Sequence, residues 1–238
     1  MKLDLLAIGA HPDDIELTCS GALLKHIARG KSIGIADLTQ GELGTRGNRV
    51  LRLEEAAAAA KVLGVSMREN LRIPDGNIAV TRENILKVIT LIRACRPEIL
   101  LFPYWKDRHP DHEHAHVLVR EALFYAGLEK IETLVEGVPQ EPFRPLRHYH
   151  FMQWEEFQPS FVIDVTKEWP RRMEAVKAFR SQFHDPESGE SETILSSPDF
   201  MDFIETRGKY YGDQIGTGYG EPFFSPKAVQ IEDLSAII

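Results

Sequence analysis

The chain has 238 residues, 43% of them hydrophobic and 27% charged, the balance of a globular protein able to bury a full core. Against 28 Lys and Arg stand 36 Asp and Glu, and a formal charge of −8 argues against a nucleic-acid binder, whose surface has to neutralise phosphates. No apolar stretch approaches the roughly 18 residues of a membrane span, and Asp4 interrupts an opening run too short for a signal peptide.

Leu3–Ala10 is apolar, brief and broken by a glycine, which predicts a buried strand. Ile15–Arg29 follows as a predicted helix stopped at Gly30, and Ser32–Leu38 as a second strand. The alanine-rich Arg49–Leu63 has strong helix propensity, with Gly64 as its cap. Thr81 opens a further helix, in which Ile85, Val88, Ile89 and Ile92 recur at helical spacing. Glu98–Phe102, apolar after its first residue, is expected to be another buried strand. Beyond it the pattern loosens. Strands are expected near Tyr149–Trp154 and Phe161–Val165, helices near Arg171–Phe183 and Pro198–Gly212, and a polar loop over His184–Ser197. Strands alternating with helices predict a parallel sheet covered on both faces, and hence a Rossmann-like α/β three-layer sandwich with a mostly parallel sheet. No repeat or linker divides the chain, so one domain over 1–238 is expected, less regular from about residue 148. Cys19 and Cys95 are too few for a disulfide framework or a thiolate zinc site, which points to a cytoplasmic location.

Two polar clusters stand just past predicted strand ends, where sheets of this kind bind ligands. The first is His11-Pro12-Asp13-Asp14 and the second His109-Pro110-Asp111-His112. One imidazole and one carboxylate from the first, with an imidazole from the second, make a His₂-carboxylate set suited to catalytic zinc. Zinc brings the pKa of water to about 7, and a nearby carboxylate then accepts its proton. If Asp14 faces the metal beside His11, Asp13 is free for that task. His109 and His112 share a helix face if the helix starts at Pro110, so one can ligate and the other can meet the oxyanion. Spacing alone does not assign them. Either cluster taken singly is equally well a capped turn. His112 and His116, four apart, form a weaker metal pair, and His114 and His116 are expected at the surface or behind the ligands. Gly9-Ala10-His11-Pro12 lacks the glycine fingerprint of a nucleotide-binding oxidoreductase.

At these two motifs the sequence resembles the LmbE-like, or PIG-L, family of zinc-dependent N-deacetylases. GELGTRGNRVLRLEEA at Gly41–Ala56, PDGNI at Pro74–Ile78 and SQF at Ser181–Phe183 extend the likeness over most of the chain. Within the family it looks most like the bacillithiol biosynthesis deacetylases, which act on N-acetylglucosaminyl malate, and YYGDQIGTGYGEPF at Tyr210–Phe223 is similar too. The resemblance implies Zn2+ held by His11, Asp14 and His112, with Asp13 as general base. It implies that His109, oriented by Asp111, stabilises the tetrahedral intermediate or protonates the amine. Arg52 resembles a pocket arginine for oxyanion or substrate carboxylate, and Arg108 is a second candidate. It implies a small N-acetylated sugar as substrate and a homo-oligomer, with neither nucleic acid nor membrane as partner. Other N-acetylglucosamine derivatives, mycothiol-like or chitobiose, are alternative substrates, and a non-enzymatic metal- or sugar-binding protein of the same fold is the alternative class. Iron or manganese also suits a His₂-Asp site.

Arg46, Arg49 and Arg52 against Glu42 give Gly41–Arg52 a local positive charge that favours an anionic substrate, with one or two of them expected to be ordinary surface charges. Tyr104, Trp105 and Trp154 are candidates for sugar stacking as much as for burial, and His148 and His150 are expected to pack or lie exposed.

Overall fold

The computed structural model describes residues 2–233, so the two ends of the expected 1–238 domain lie outside the described residues. Its main sheet has seven strands. Five run parallel to one another: β1 (Leu5–Gly9), β2 (Ile33–Asp37), β3 (Met67–Asn70), β4 (Ile99–Pro103) and β7 (Arg147–Phe151). Between β4 and β7 the chain makes a small ribbon of β5 (Leu134–Val135) and β6 (Val138–Pro139). β8 (Phe161–Asp164) and β9 (Gly220–Phe224) close the far side, with β9 antiparallel to both β7 and β8. The order is β3-β2-β1-β4-β7-β9-β8. The mostly parallel sheet expected from the sequence is present.

The unbroken apolar run of β1 reflects burial on both faces. Leu6 and Ile8 join a core with α4 (Arg82–Cys95) and α5 (Pro110–Tyr125), whereas Leu5 and Ala7 join one with α2 (Ser20–Ile27) and α6 (Trp169–Lys177). Successive side chains point to opposite sides, so a strand inside a three-layer sandwich has no polar positions. α3 (Arg49–Leu63) has the predicted bounds, starts on the Asn48 side chain and ends at Gly64 in the left-handed region (φ 76°). α7 (Phe200–Asp213) follows the polar loop. Among the described residues no helix is long and apolar enough to cross a membrane.

β5, β6 and β9 have no counterpart in the sequence reading, and three further elements differ from it. The helix expected over Ile15–Arg29 is two, α1 (Asp14–Thr18) and α2, broken at Cys19. The cause is distant in sequence: Glu221 of β9 accepts from the N–H groups of Gly21 and Ala22 at 2.9 and 2.7 Å. This caps a new helix start, and a Cβ at Gly21 would stand 2.8 Å from Glu221 Oε1. β3 escapes a hydrophobicity reading because Met67-Arg68-Glu69-Asn70 is polar, and Arg68 is drawn inward to Asp37 and Glu16 at 2.8 and 2.6 Å. The helix expected over Arg171–Phe183 ends at Lys177, with a short 3-10 turn at Arg180–Gln182.

Glu221 also pairs with buried Arg172 at 2.9 Å. Glu221→Ala removes a helix cap and leaves a buried guanidinium without its anion, so a loss of about 3–5 kcal/mol is expected. A urea titration with an unchanged slope and a lower midpoint is the check.

Candidate active site

The chain leaves β1 toward β2 and β3 on one side and returns to β4 on the other, so the strand order reverses between β1 and β4. The crevice at such a reversal is where open α/β sheets bind ligands. Both motifs lie there: His11–Asp14 leaves β1, and His109 caps α5 with Pro110 at its first position. Together they border a cavity of about 380 Å³.

Asp14 is fixed first. Its Oδ2 accepts from the N–H groups of Ala10 and His11 at 2.8 and 2.9 Å, and its Oδ1 lies 3.3 Å from His112 Nε2. His11 Nδ1 is 3.9 Å from Asp14 Oδ2. One donor atom from each of these three residues falls within 4.8 Å of the other two. Each imidazole is oriented from behind, His11 Nε2 by Asp75 at 3.1 Å and His112 Nδ1 by Asp107 at 2.8 Å. Carboxylates in this outer position fix the tautomer and strengthen the inner nitrogen as a donor. A second group, His11, His109 and Asp111, meets the same distance limit. Its Asp111 carboxylate faces His11 Nε2 at 3.4 Å, a nitrogen that already bonds Asp75, so the first group is the better cradle for a cation. Two imidazole nitrogens and one carboxylate oxygen, with no lysine or arginine among them, suit a zinc-class ion.

The local charge supports this. Burial opposes charge on His11 and His112, yet Asp111, Asp75 and Asp14 push His11 up to about 10, and Asp14 and Asp107 push His112 up to about 9. Although burial opposes their charge too, Asp75 and Asp107 are held down at about 2 by hydrogen bonds to these rings. Four carboxylates facing two imidazoles form a hole for positive charge, which protons fill when no cation does.

Asp13 stands apart from that cradle. It sits at φ 117°, a left-handed conformation unusual for a side-chain-bearing residue, and Arg52 Nη2 holds its Oδ2 at 3.1 Å while also donating to Pro12 O. Strain of this kind, of order 1–3 kcal/mol, persists where the surroundings impose it, often at functional sites. Burial raises the Asp13 carboxyl above the ordinary range, with Arg52 opposing. A raised carboxylate beside a cation cradle is a suitable proton acceptor.

Several expectations change here. Asp111 does not orient His109 through its carboxylate, which lies 3.4 Å from His11 Nε2 and accepts from Gly76 N at 2.8 Å. Only its backbone N–H donates to His109 Nδ1, at 3.2 Å, which leaves the ring proton on Nε2. Arg52 lines the cavity but is engaged by Asp13 and Pro12, so it positions the carboxylate rather than standing free for an oxyanion. Arg108 is exposed at the rim, its guanidinium 4.7 Å above the Trp154 ring. Arg46 is buried beside Glu190 at 3.7 Å, and Arg49 is exposed outside this cavity. Of the three aromatic candidates, Trp154 lines the cavity and Tyr104 and Trp105 do not. His116 and His150 are buried on Pro103 O, and His114 is exposed.

Sequence reasoning missed Asp75 and Asp107. Both carry a local signal: Asp75 lies in the Pro74-Asp75-Gly76 turn, and Asp107 is two residues before His109. Asp107→Asn is expected to weaken zinc binding about 10–100-fold, the usual cost of losing an outer carboxylate, measurable by competition with a chromogenic chelator.

Known proteins are similar to this chain in sequence and in fold. The sequence pattern of the family PIG-L, GlcNAc-PI de-N-acetylase, matches residues 6–123. Diacetylchitobiose deacetylase of Thermococcus kodakarensis is 30% identical over 229 residues, 91% of this chain and 80% of that protein. The 4-oxalmesaconate hydratase of Pseudomonas putida is 27% identical over 195 residues, 75% of this chain and 74% of its own. Among solved structures, the conserved protein TT1542 from Thermus thermophilus superposes with a TM-score of 0.86 at 37% identity, covering 98% of each chain. On its motifs, its sheet and these relatives, the chain belongs to the PIG-L family.

Proposed function

We propose that the protein is a zinc-dependent N-deacetylase that hydrolyses the acetamide of an N-acetylglucosaminyl conjugate, with N-acetylglucosaminyl malate of bacillithiol biosynthesis as its substrate. The observation that carries the reading is the placement of Asp13, outside a His11–Asp14–His112 cradle but on the same cavity. A zinc ion held by those three residues supplies Lewis acidity, which acidifies water and polarises a carbonyl. Asp13, steadied by Arg52, takes the proton of the attacking water. His109 presents its Nε2–H to the oxygen on which charge develops, because its Nδ1 is occupied by the Asp111 N–H. The proton gained by Asp13 then leaves with the amine, so water and amide yield acetate and a primary amine.

The family relative that acts on diacetylchitobiose supports a sugar acetamide in general. The malate conjugate rests on the likeness of the chain's own motifs, including Tyr210–Phe223. The same reading takes 1–238 as one deacetylase domain in the cytoplasm, in keeping with two unpaired cysteines. It also makes the protein a homo-oligomer, supported by Leu134, Val135 and Val138, which are 60%, 40% and 65% exposed on the β5–β6 ribbon. Such a ribbon gains little stability alone in water.

Zinc-loaded protein is expected to release acetate and primary amine in equal amounts from N-acetylglucosaminyl malate, and more slowly from diacetylchitobiose. The hydratase relative defines the second reading. Hydration of 4-oxalmesaconate with no acetate from any acetylated sugar would replace the first reading with the second.

A further inference from the structure

α7 places Phe200, Phe203, Ile204 and Arg207 on the lining of the active-site cavity, at the spacing of one helix face. Phe203 stacks on Trp154 at 5.4 Å, Arg207 lies 5.5 Å from the Phe203 ring and Arg108 lies 4.7 Å from the Trp154 ring. The result is a ladder of two aromatic rings with a guanidinium at each end.

These two arginines differ from those paired with carboxylates in the pocket and core, and from buried Arg93, whose guanidinium is satisfied by Ala126 O, Ile131 O, Leu128 O and Thr133 Oγ1. Arg52 has Asp13, Arg172 has Glu221 and Arg68 has Glu16 and Asp37. Among the described residues, no carboxylate lies within ion-pair distance of Arg108 or Arg207. The cavity's own acids are all engaged: Asp13 by Arg52, Asp14 and Asp107 by His112, Asp75 by His11. The acids nearest in charge to Arg207 are Glu221, paired with Arg172, and Glu156, which is exposed.

Arg207 donates only to two backbone oxygens, Gln153 O and, at 3.1 Å, Leu17 O. Leu17 O already accepts from Arg172 at 2.7 Å, so finishing α1 does not require a second guanidinium. A largely enclosed cation without an anion is costly, and its remaining N–H groups have no protein acceptor. Beside it, Gln153 Oε1 is buried without a partner on the same cavity. An acceptor and two cations are thus left open in a pocket whose acids are all in use.

Resting on the deacetylase reading, we infer that Arg207, with Arg108 at the rim, binds an anionic group, carboxylate or phosphate, on the part of the substrate that stays attached to the amine. Gln153 accepts from a hydroxyl of the same substrate. Guanidinium groups pair with either anion through two parallel hydrogen bonds. Trp154 and Phe203 hold the guanidiniums in place by their ring faces.

The test compares three substrates on zinc-loaded protein: N-acetylglucosaminyl malate, N-acetylglucosamine 1-phosphate and the neutral methyl N-acetylglucosaminide. Wild type is expected to prefer an anionic substrate, and the malate and phosphate arms identify which anion. Arg207→Gln is expected to cut kcat/KM on that substrate about ten- to a hundredfold more than on the neutral one, chiefly through KM. Arg207→Lys should restore part of the preference. Equal proportional loss on charged and neutral substrates, or no anionic preference in wild type, overturns the inference while deacetylation stands. Calorimetric titration with malate and with inorganic phosphate separates the two readings. If no substrate releases acetate, the deacetylase reading fails. The anion site then stands if wild type binds either anion and Arg207→Gln does not, and falls if both proteins bind alike.

Discussion

Asp13→Asn is expected to keep a full complement of zinc and to lose about 10²–10⁴ in turnover, the usual worth of a positioned base. Asparagine is the informative replacement because it tolerates the left-handed backbone of position 13 and still accepts from Arg52. Alanine would strain that backbone and strand a buried guanidinium, mixing folding with chemistry. The carboxamide lacks the one property the mechanism requires, a lone pair basic enough to take a proton from water. Metal content by emission spectrometry and turnover by acetate release are read on the same sample. Loss of zinc with loss of turnover would assign Asp13 to the cradle instead.

His112→Ala should act on the other half of the site. It removes one of two imidazoles and leaves Asp14 Oδ1 without the ring nitrogen 3.3 Å away. Zinc affinity is expected to fall by more than the 10–100-fold of an outer-carboxylate change, and turnover with it. His114→Ala, two residues on but exposed, should retain both metal and activity. Loading is also expected to depend on pH in a definite sense. Without a cation, neighbouring carboxylates keep His11 and His112 protonated to about 10 and 9, so zinc has to expel protons at neutral pH. Affinity therefore falls as pH falls, and calorimetry in buffers of different ionisation enthalpy measures the protons released.

How much of this the residues reveal before folding depends on whether a signal is local. Strands such as Leu5–Gly9 and helices such as Arg49–Leu63 carry their own periodicity and caps, and their bounds follow to within a residue or two. The two histidine motifs are equally local, and parallel-sheet topology alone suffices to bring them to one crevice. What stays hidden is set by distant partners. Glu221 breaks a helix it reaches across two hundred positions, and Arg68 turns a polar tetrapeptide into a strand through Asp37 and Glu16. The same holds in the site: that Asp111 turns to His11, and that Arg52 belongs to Asp13, depends on rotamers fixed by packing. Arg207 carries no signal at all in the sequence, because an unpaired guanidinium is defined by which acids are missing around it.

The central claim is that two distant motifs hold one cation between His11, Asp14 and His112. Anomalous diffraction at the zinc edge, from crystals of protein purified with zinc, tests it most directly. A single strong peak is expected among His11 Nδ1, the Asp14 carboxylate and His112 Nε2. A peak among His11, His109 and Asp111 instead, or none within reach of His112, would contradict it.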